Sequence, residues 1–154
     1  MRLHLCRPAI PEELPVVRAS LRRFLQAAGA SEDVIFQVLT ACVEACGNAI
    51  RHPVEPSVAR FEMKAKADHM EVRIMVRDFG RWRSPVTREA ESGAMGLGLM
   101  RSLMDDVRLK QTRAGTFVWM VRTLRGRKLP ARERPTRKDG STNPRRLVAD
   151  RAGA

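Results

Sequence analysis

Cysteine is scarce in this chain, and its pattern excludes more than it offers. Cys6, Cys42 and Cys46 are three, an odd set, and no second Cys or His pair stands at metal-ligand spacing. Cys42 and Cys46 lie four apart on the apolar side of one helical pattern, and are expected as buried, reduced core residues. With reduced thiols, a cytoplasmic location is expected. No uninterrupted apolar run approaches the roughly 20 residues of a membrane span. The opening run MRLHLCRPAIPEEL has no extended apolar core ahead of a small-residue cleavage site, so neither a signal peptide nor membrane attachment is expected. No internal repeat and no helix-turn-helix pattern is visible.

At 154 residues, 44% apolar, there is material for one compact domain and a tail. The net charge of +12 is uneven. Residues 125–154 hold ten Lys or Arg against three acids, a balance of +7, which leaves +5 for residues 1–124. Beyond Leu124 apolar periodicity stops, and Pro130, Pro135, Gly140 and Pro144 interrupt a run rich in Arg. The expected division is therefore a folded domain at 1–124 and a basic, disordered tail at 125–154.

Along the domain, residues 2–6 alternate as a short strand ended by Pro8 and Pro11. Pro11-Glu12-Glu13 reads as a helix start. Leu14, Val17, Leu21, Phe24 and Leu25 recur at helical spacing until Gly29 closes the pattern. Ser31 is placed to cap a second helix that runs to about Arg51 and is stopped by Pro53. Strand patterns follow at 59–66 and 70–77, the second ending in Asp78-Phe79-Gly80. A polar stretch, 81–94, reads as a surface loop, and Gly96-Leu97-Gly98-Leu99 opens a third helix. Strands at 107–111 and 116–124 complete the order β-α-α-β-β-loop-α-β-β. That order predicts an α+β two-layer sandwich, with helices packed on one face of a mainly antiparallel sheet.

The second helix carries the chemistry. Its apolar stripe is Val34, Ile35, Val38, Leu39, Cys42, Val43, Cys46 and Ile50. Glu44 and Asn48, four apart, share another face, and His52 extends their line. A carboxylate and a carboxamide one turn apart suit magnesium and a proton to be accepted, since magnesium takes hard oxygen ligands and leaves room for substrate phosphates. Asp78 at a strand end is suited to accept a hydrogen bond from the amino group of adenine, with Gly80 allowing close backbone approach. Gly96 and Gly98, at a helix start, would offer backbone N–H groups to phosphates. Gly115-Thr116 begins the last strand.

In this order the segments resemble the Bergerat-fold (GHKL) ATPases, and within them the anti-sigma-factor serine kinases of the RsbW and SpoIIAB type. VEACGNAIRH is similar to the N box, VRDFGRW to the first glycine box, GAMGLGLMRSLMDDV to the second, and GTFVWM to the strand whose threonine supports adenine. The resemblance spans about residues 7–124. It implies ATP and Mg2+ as cofactors, Glu44 as general base toward an acceptor serine, and Asn48 as magnesium ligand. It implies an adenine site at Asp78, Gly80 and Thr116, and a phosphate lid around Gly93, Gly96, Leu97, Gly98 and Leu99. The implied partners are a STAS-type anti-sigma factor antagonist, a sigma factor and a second copy in a homodimer. The sequence departs from the family at Trp82, where the first glycine box has its second glycine; the ring would narrow the pocket or stack on the base.

Two functions therefore compete: an ATP-dependent serine/threonine kinase acting by partner switching, and a nucleotide-binding but non-catalytic module that holds a protein partner. A third gives the lead to the tail, which can neutralise nucleic-acid phosphates but has no aromatic residue for stacking on bases.

Overall fold

The computed structural model describes residues 1–51, 59–79, 89–112 and 115–124, with the backbone alone for 89–95. The predicted 125–154 tail, His52, Gly80 and Trp82 lie outside the described residues. The elements are β1 (Arg2–Pro8), a 3-10 turn (Pro11–Glu13), α1 (Leu14–Ala27), α2 (Glu32–Arg51), β2 (Arg60–Ala67), β3 (Glu71–Asp78), α3 (Glu89–Leu103), β4 (Asp106–Thr112) and β5 (Gly115–Thr123). The expected order of strands and helices is observed. The later strands shift by a single residue at their ends, the helix start expected at Pro11 is a 3-10 turn with α1 beginning at Leu14, and two boundaries move further. β1 continues to Pro8, which pairs with Arg60 from the sheet edge, where proline's missing N–H is tolerated. The third helix starts at Glu89 rather than at the Gly-Leu-Gly-Leu run, so the 89–94 part of the predicted loop is helical.

Local signals account for the helix ends. Gly29 adopts φ 77°, and the N–H of Ala30 returns to the Leu25 carbonyl at 3.1 Å, closing α1 in a left-handed turn. The Ser31 hydroxyl accepts from the N–H of Val34 at 3.4 Å, and its carbonyl from Ile35 at 2.9 Å, so Ser31 caps α2. Between β2 and β3, Asp68 Oδ1 accepts from the N–H groups of Met70 and Glu71 at 2.8 and 3.0 Å. These two backbone donors lower the Asp68 pKa below the usual carboxylate value and hold the hairpin turn.

The five strands form one antiparallel sheet in the order β1-β2-β3-β5-β4. α3 carries the chain from β3 past the place of β5 to edge strand β4, and the β4–β5 hairpin returns β5 to pair with β3. Phe61, Met63, Val72, Ile74, Val76, Val118 and Met120 point from one sheet face into the core. Val17, Leu21, Leu25 and the buried side of α2 meet them. α2 is long and apolar enough by composition to cross a membrane, yet half of that window is buried within the molecule, as in the core helix of a two-layer fold.

The buried side of α2 differs in detail from the predicted stripe. Ala41, Ala45 and Ala49 are buried, whereas Val43 and Ile50 are only half-buried. Small side chains let the neighbouring layers approach the helix backbone, so burial follows the space available rather than hydrophobicity alone.

Candidate functional site

Two contacts give the direction of α2 over the sheet. Arg122 on β5, opposite Val72 in the register, donates Nη2 to Gln37 Oε1 at 2.8 Å. The Cys42 thiol donates to the Met63 thioether at 3.2 Å, and Met63 lies opposite Val76. Advancing from Gln37 to Cys42 thus follows β3 from Val72 toward Val76. The next turns of α2, with Glu44 and Asn48, lie toward the end of β3 marked by Asp78. The sheet and helix signals that sequence spacing left separate are therefore gathered at one end of the sandwich.

On α2, Glu44 and Asn48 are half-buried on one face. A third residue joins them. Arg51 folds back along the helix over Gly47, donating Nη2 to Glu44 Oε1 at 3.0 Å and to Asn48 Oδ1 at 2.9 Å, and Nε to the Gly47 carbonyl at 3.3 Å. Sequence reasoning missed Arg51. Its signal was there: at three after Asn48 and seven after Glu44 it shares their helix face. A cation bridging the carboxylate and the carboxamide shows that this oxygen pair can hold positive charge. Both oxygens are hard, which fits magnesium, an ion that takes one or two protein ligands beside substrate phosphates.

α3 closes over this pair. Gly96 is buried against Glu44, where a Cβ would overlap the carboxylate and stand 3.1 Å from its Cδ. Leu97 is half-buried against the core, while Gly98 and Leu99 are exposed, with open space at Gly98. Gly93 lies on the same helix. Because α3 begins at Glu89, Gly96 and Gly98 are interior to the helix. Their expected place at a helix N-terminus, with N–H groups turned to phosphates, is therefore not the arrangement found. The charges and Pro85 of the 81–94 stretch suggested a loop, but Glu89, Ala90 and Glu91 are good helix formers and extend the helix backwards.

Asp78 ends β3, and its Oδ1 accepts the N–H of Thr116 at 2.9 Å. Gly115, with φ 121°, brings β5 so close that a Cβ would overlap the Asp78 carbonyl oxygen and stand 3.1 Å from Oδ1. The structure thus joins Asp78 to Thr116 and explains the glycine before it. The described residues bring Glu44, Asn48 and Gly96 together in one cluster, Asp78 and Thr116 in a second, at the same end of the fold.

Fold and site together define a histidine kinase-like ATPase domain. Residues 7–122 match the family model of that description, and the chain belongs to this family. It is 28% identical over 138 residues to the serine-protein kinase RsbW of Bacillus subtilis (strain 168), covering 79% of this chain and 85% of that protein. RsbW of Bacillus velezensis matches with the same identity and coverage. Among solved structures, the RsbU and RsbW domains of Rv1364c from Mycobacterium tuberculosis superpose with a TM-score of 0.67 at 25% identity. That match covers 84% of this chain but 34% of the other, so the chain spans about a third of that protein. The histidine kinase domain of the blue-light activated kinase of Erythrobacter litoralis EL346 shares the fold, with a TM-score of 0.52 at 14% identity over 73% of this chain and 60% of that one.

Proposed function

We propose that the protein is an ATP-dependent serine/threonine protein kinase of the partner-switching kind. It would phosphorylate a STAS-type anti-sigma factor antagonist and, in the alternate state, hold a sigma factor. The observation that carries this reading is the cluster on α2, with Glu44 and Asn48 bridged by Arg51 and covered by Gly96 of α3. A homodimer and a cytoplasmic location go with it; the buried thiols Cys42 and Cys46 support the latter.

In this mechanism the adenine amino group donates to Asp78, whose carboxylate is positioned by the Thr116 N–H. Asn48 Oδ1 would hold magnesium, which when bound would supply charge neutralisation for the transferred phosphoryl group. Glu44 accepts the proton of the acceptor hydroxyl as that oxygen bonds to the γ-phosphorus and ADP leaves. Both roles would require Arg51 to release the two oxygens, which would free its guanidinium to pair with phosphate oxygens. Glycine costs about 1 kcal/mol relative to alanine at an interior helix position. Gly93, Gly96 and Gly98 thus make the first part of α3 easy to unwind over a nucleotide.

A second reading keeps the nucleotide and drops the catalysis. The ion pair between Arg51 and Glu44 favours it, because the guanidinium occupies the carboxylate oxygen that would accept the proton. Calorimetric titration of Mg·ATP into the wild type and Asp78→Asn tests the shared site: binding in the wild type and its loss in the variant are expected. Phosphate transfer to a candidate antagonist, compared with Glu44→Ala, then separates the two. A general base contributes about 10²–10⁴-fold. Equal transfer by the variant would remove Glu44 from that role, and no transfer by the wild type would leave the binding module.

A further inference from the structure

The face of the sheet turned away from the helices is not a neutral surface. Alternation along the strands places every second side chain there, and the register aligns them in rows across the sheet. One row runs His4, Lys64, Met75, Trp119, Arg108. The next runs Cys6, Glu62, Arg77, Phe117, Lys110. The rings form a column: Phe117 and Trp119 stack with centroids 5.4 Å apart and planes within 8°. The Arg77 guanidinium lies 4.9 Å from the Phe117 centroid and 4.4 Å from that of Phe79. The column is open to solvent, with Phe79 46% and Trp119 38% exposed.

Positive charge surrounds these rings. Lys64, Lys66, Arg73, Arg77, Arg108 and Lys110 project from this face, against Glu62, Glu71 and Asp106. Each of these acids is already paired with a neighbouring cation, Glu62 with Lys64, Glu71 with Arg73 and Asp106 with Arg108. A second copy of the same face would set like charges against one another, whereas a polyanion with flat aromatic groups matches both features. In the sequence the basic stretch 125–154, which has no ring of its own, comes shortly after β5, the strand that carries Trp119.

We propose that this open sheet face binds single-stranded nucleic acid, independently of the nucleotide site. Unpaired bases stack on Trp119 and the Phe117–Arg77–Phe79 column, and the Lys and Arg side chains at its margins take the phosphates. Stacking needs bases that are free of pairing, and antiparallel sheets backed by helices use exposed rings in this way. Sequence preference is weak, because every base offers a π face.

Fluorescence anisotropy with the full chain and a labelled oligothymidylate of about 20 nucleotides, longer than the ~4–16 covered by comparable sites, tests this. Binding is expected, weaker for a duplex of equal length. Trp119→Ala should weaken it by about 5- to 150-fold, the ~1–3 kcal/mol of one base–ring stack, while Trp119→Phe keeps most of the affinity. Lys66→Glu with Lys110→Glu should weaken binding and flatten its salt dependence. Melting curves close to that of the wild type show that these surface variants remain folded. Wild-type affinity in Trp119→Ala would overturn the proposal, since charge alone would then account for binding. No binding by the wild type would overturn it as well. A wild-type dimer made monomeric by Trp119→Ala, without oligonucleotide binding, would assign the face to a second copy instead.

Discussion

Gly96 on α3 sits directly against the carboxylate of Glu44 on α2, with no room between them for a methyl group. The helix that covers the site and the residue proposed as base are thus in contact. Gly96→Ala would improve helix propensity by about 1 kcal/mol while displacing a flexible carboxylate rather than backbone. The expected outcome is a melting temperature within a few degrees of the wild type and phosphate transfer lowered at least ~10-fold. Thermal denaturation and a transfer assay on the same preparation check both halves.

Arg51 competes with any cation for Asn48 Oδ1 and Glu44 Oε1. It is about half exposed, so the ion pair itself contributes less than about 1 kcal/mol to stability. Arg51→Ala should leave melting nearly unchanged and lower, several-fold, the magnesium concentration that half-saturates nucleotide binding. An increased magnesium requirement would mean that the guanidinium serves the bound phosphates more than it blocks the metal.

At Gly115 the constraint is backbone against backbone. φ is 121°, and the Asp78 carbonyl occupies the space that a side chain would need. Gly115→Ala must therefore both strain β5 and push it from β3, at a cost of at least ~2 kcal/mol. Chemical denaturation should show that loss, and ATP affinity should fall with it because the Thr116 N–H leaves Asp78. Retained affinity in the folded variant would separate the adenine site from this strand contact.

A buried ion pair ties the far end of α3. Asp105 receives Arg122 Nη1 at 2.7 Å and both the N–H and hydroxyl of Thr123 at 2.7 and 2.8 Å, while Gln37 takes the other side of the guanidinium. Both partners are less than one-tenth exposed. Asp105→Ala leaves a buried cation without its counter-charge and should destabilise by about 3–5 kcal/mol, measured by urea unfolding. Asp105→Leu combined with Arg122→Met should recover much of that loss, because an apolar pair removes the uncompensated charge. The clasp fixes the chain just beyond the end of α3.

Local patterns in the chain determined a good deal by themselves. The order of strands and helices, the caps at Ser31 and Gly29 and the face shared by Glu44 and Asn48 follow from spacings of two, three and four residues, which depend only on near neighbours. The start of α3 was hidden, because its charged first turn and nearby Pro85 resemble a loop, and helix propensity outweighed that composition. Arg51 was legible on the helix face but passed over. Other relationships were decided only by tertiary structure. Gly96 meets Glu44 because α3 crosses α2, Gly115 meets Asp78 because β5 inserts beside β3, and Phe79, Arg77, Phe117 and Trp119 align because two distant strands pair in one register. Spacing along a chain carries the period of each element; which elements become neighbours, and in which direction, is set by how their buried faces pack into one core.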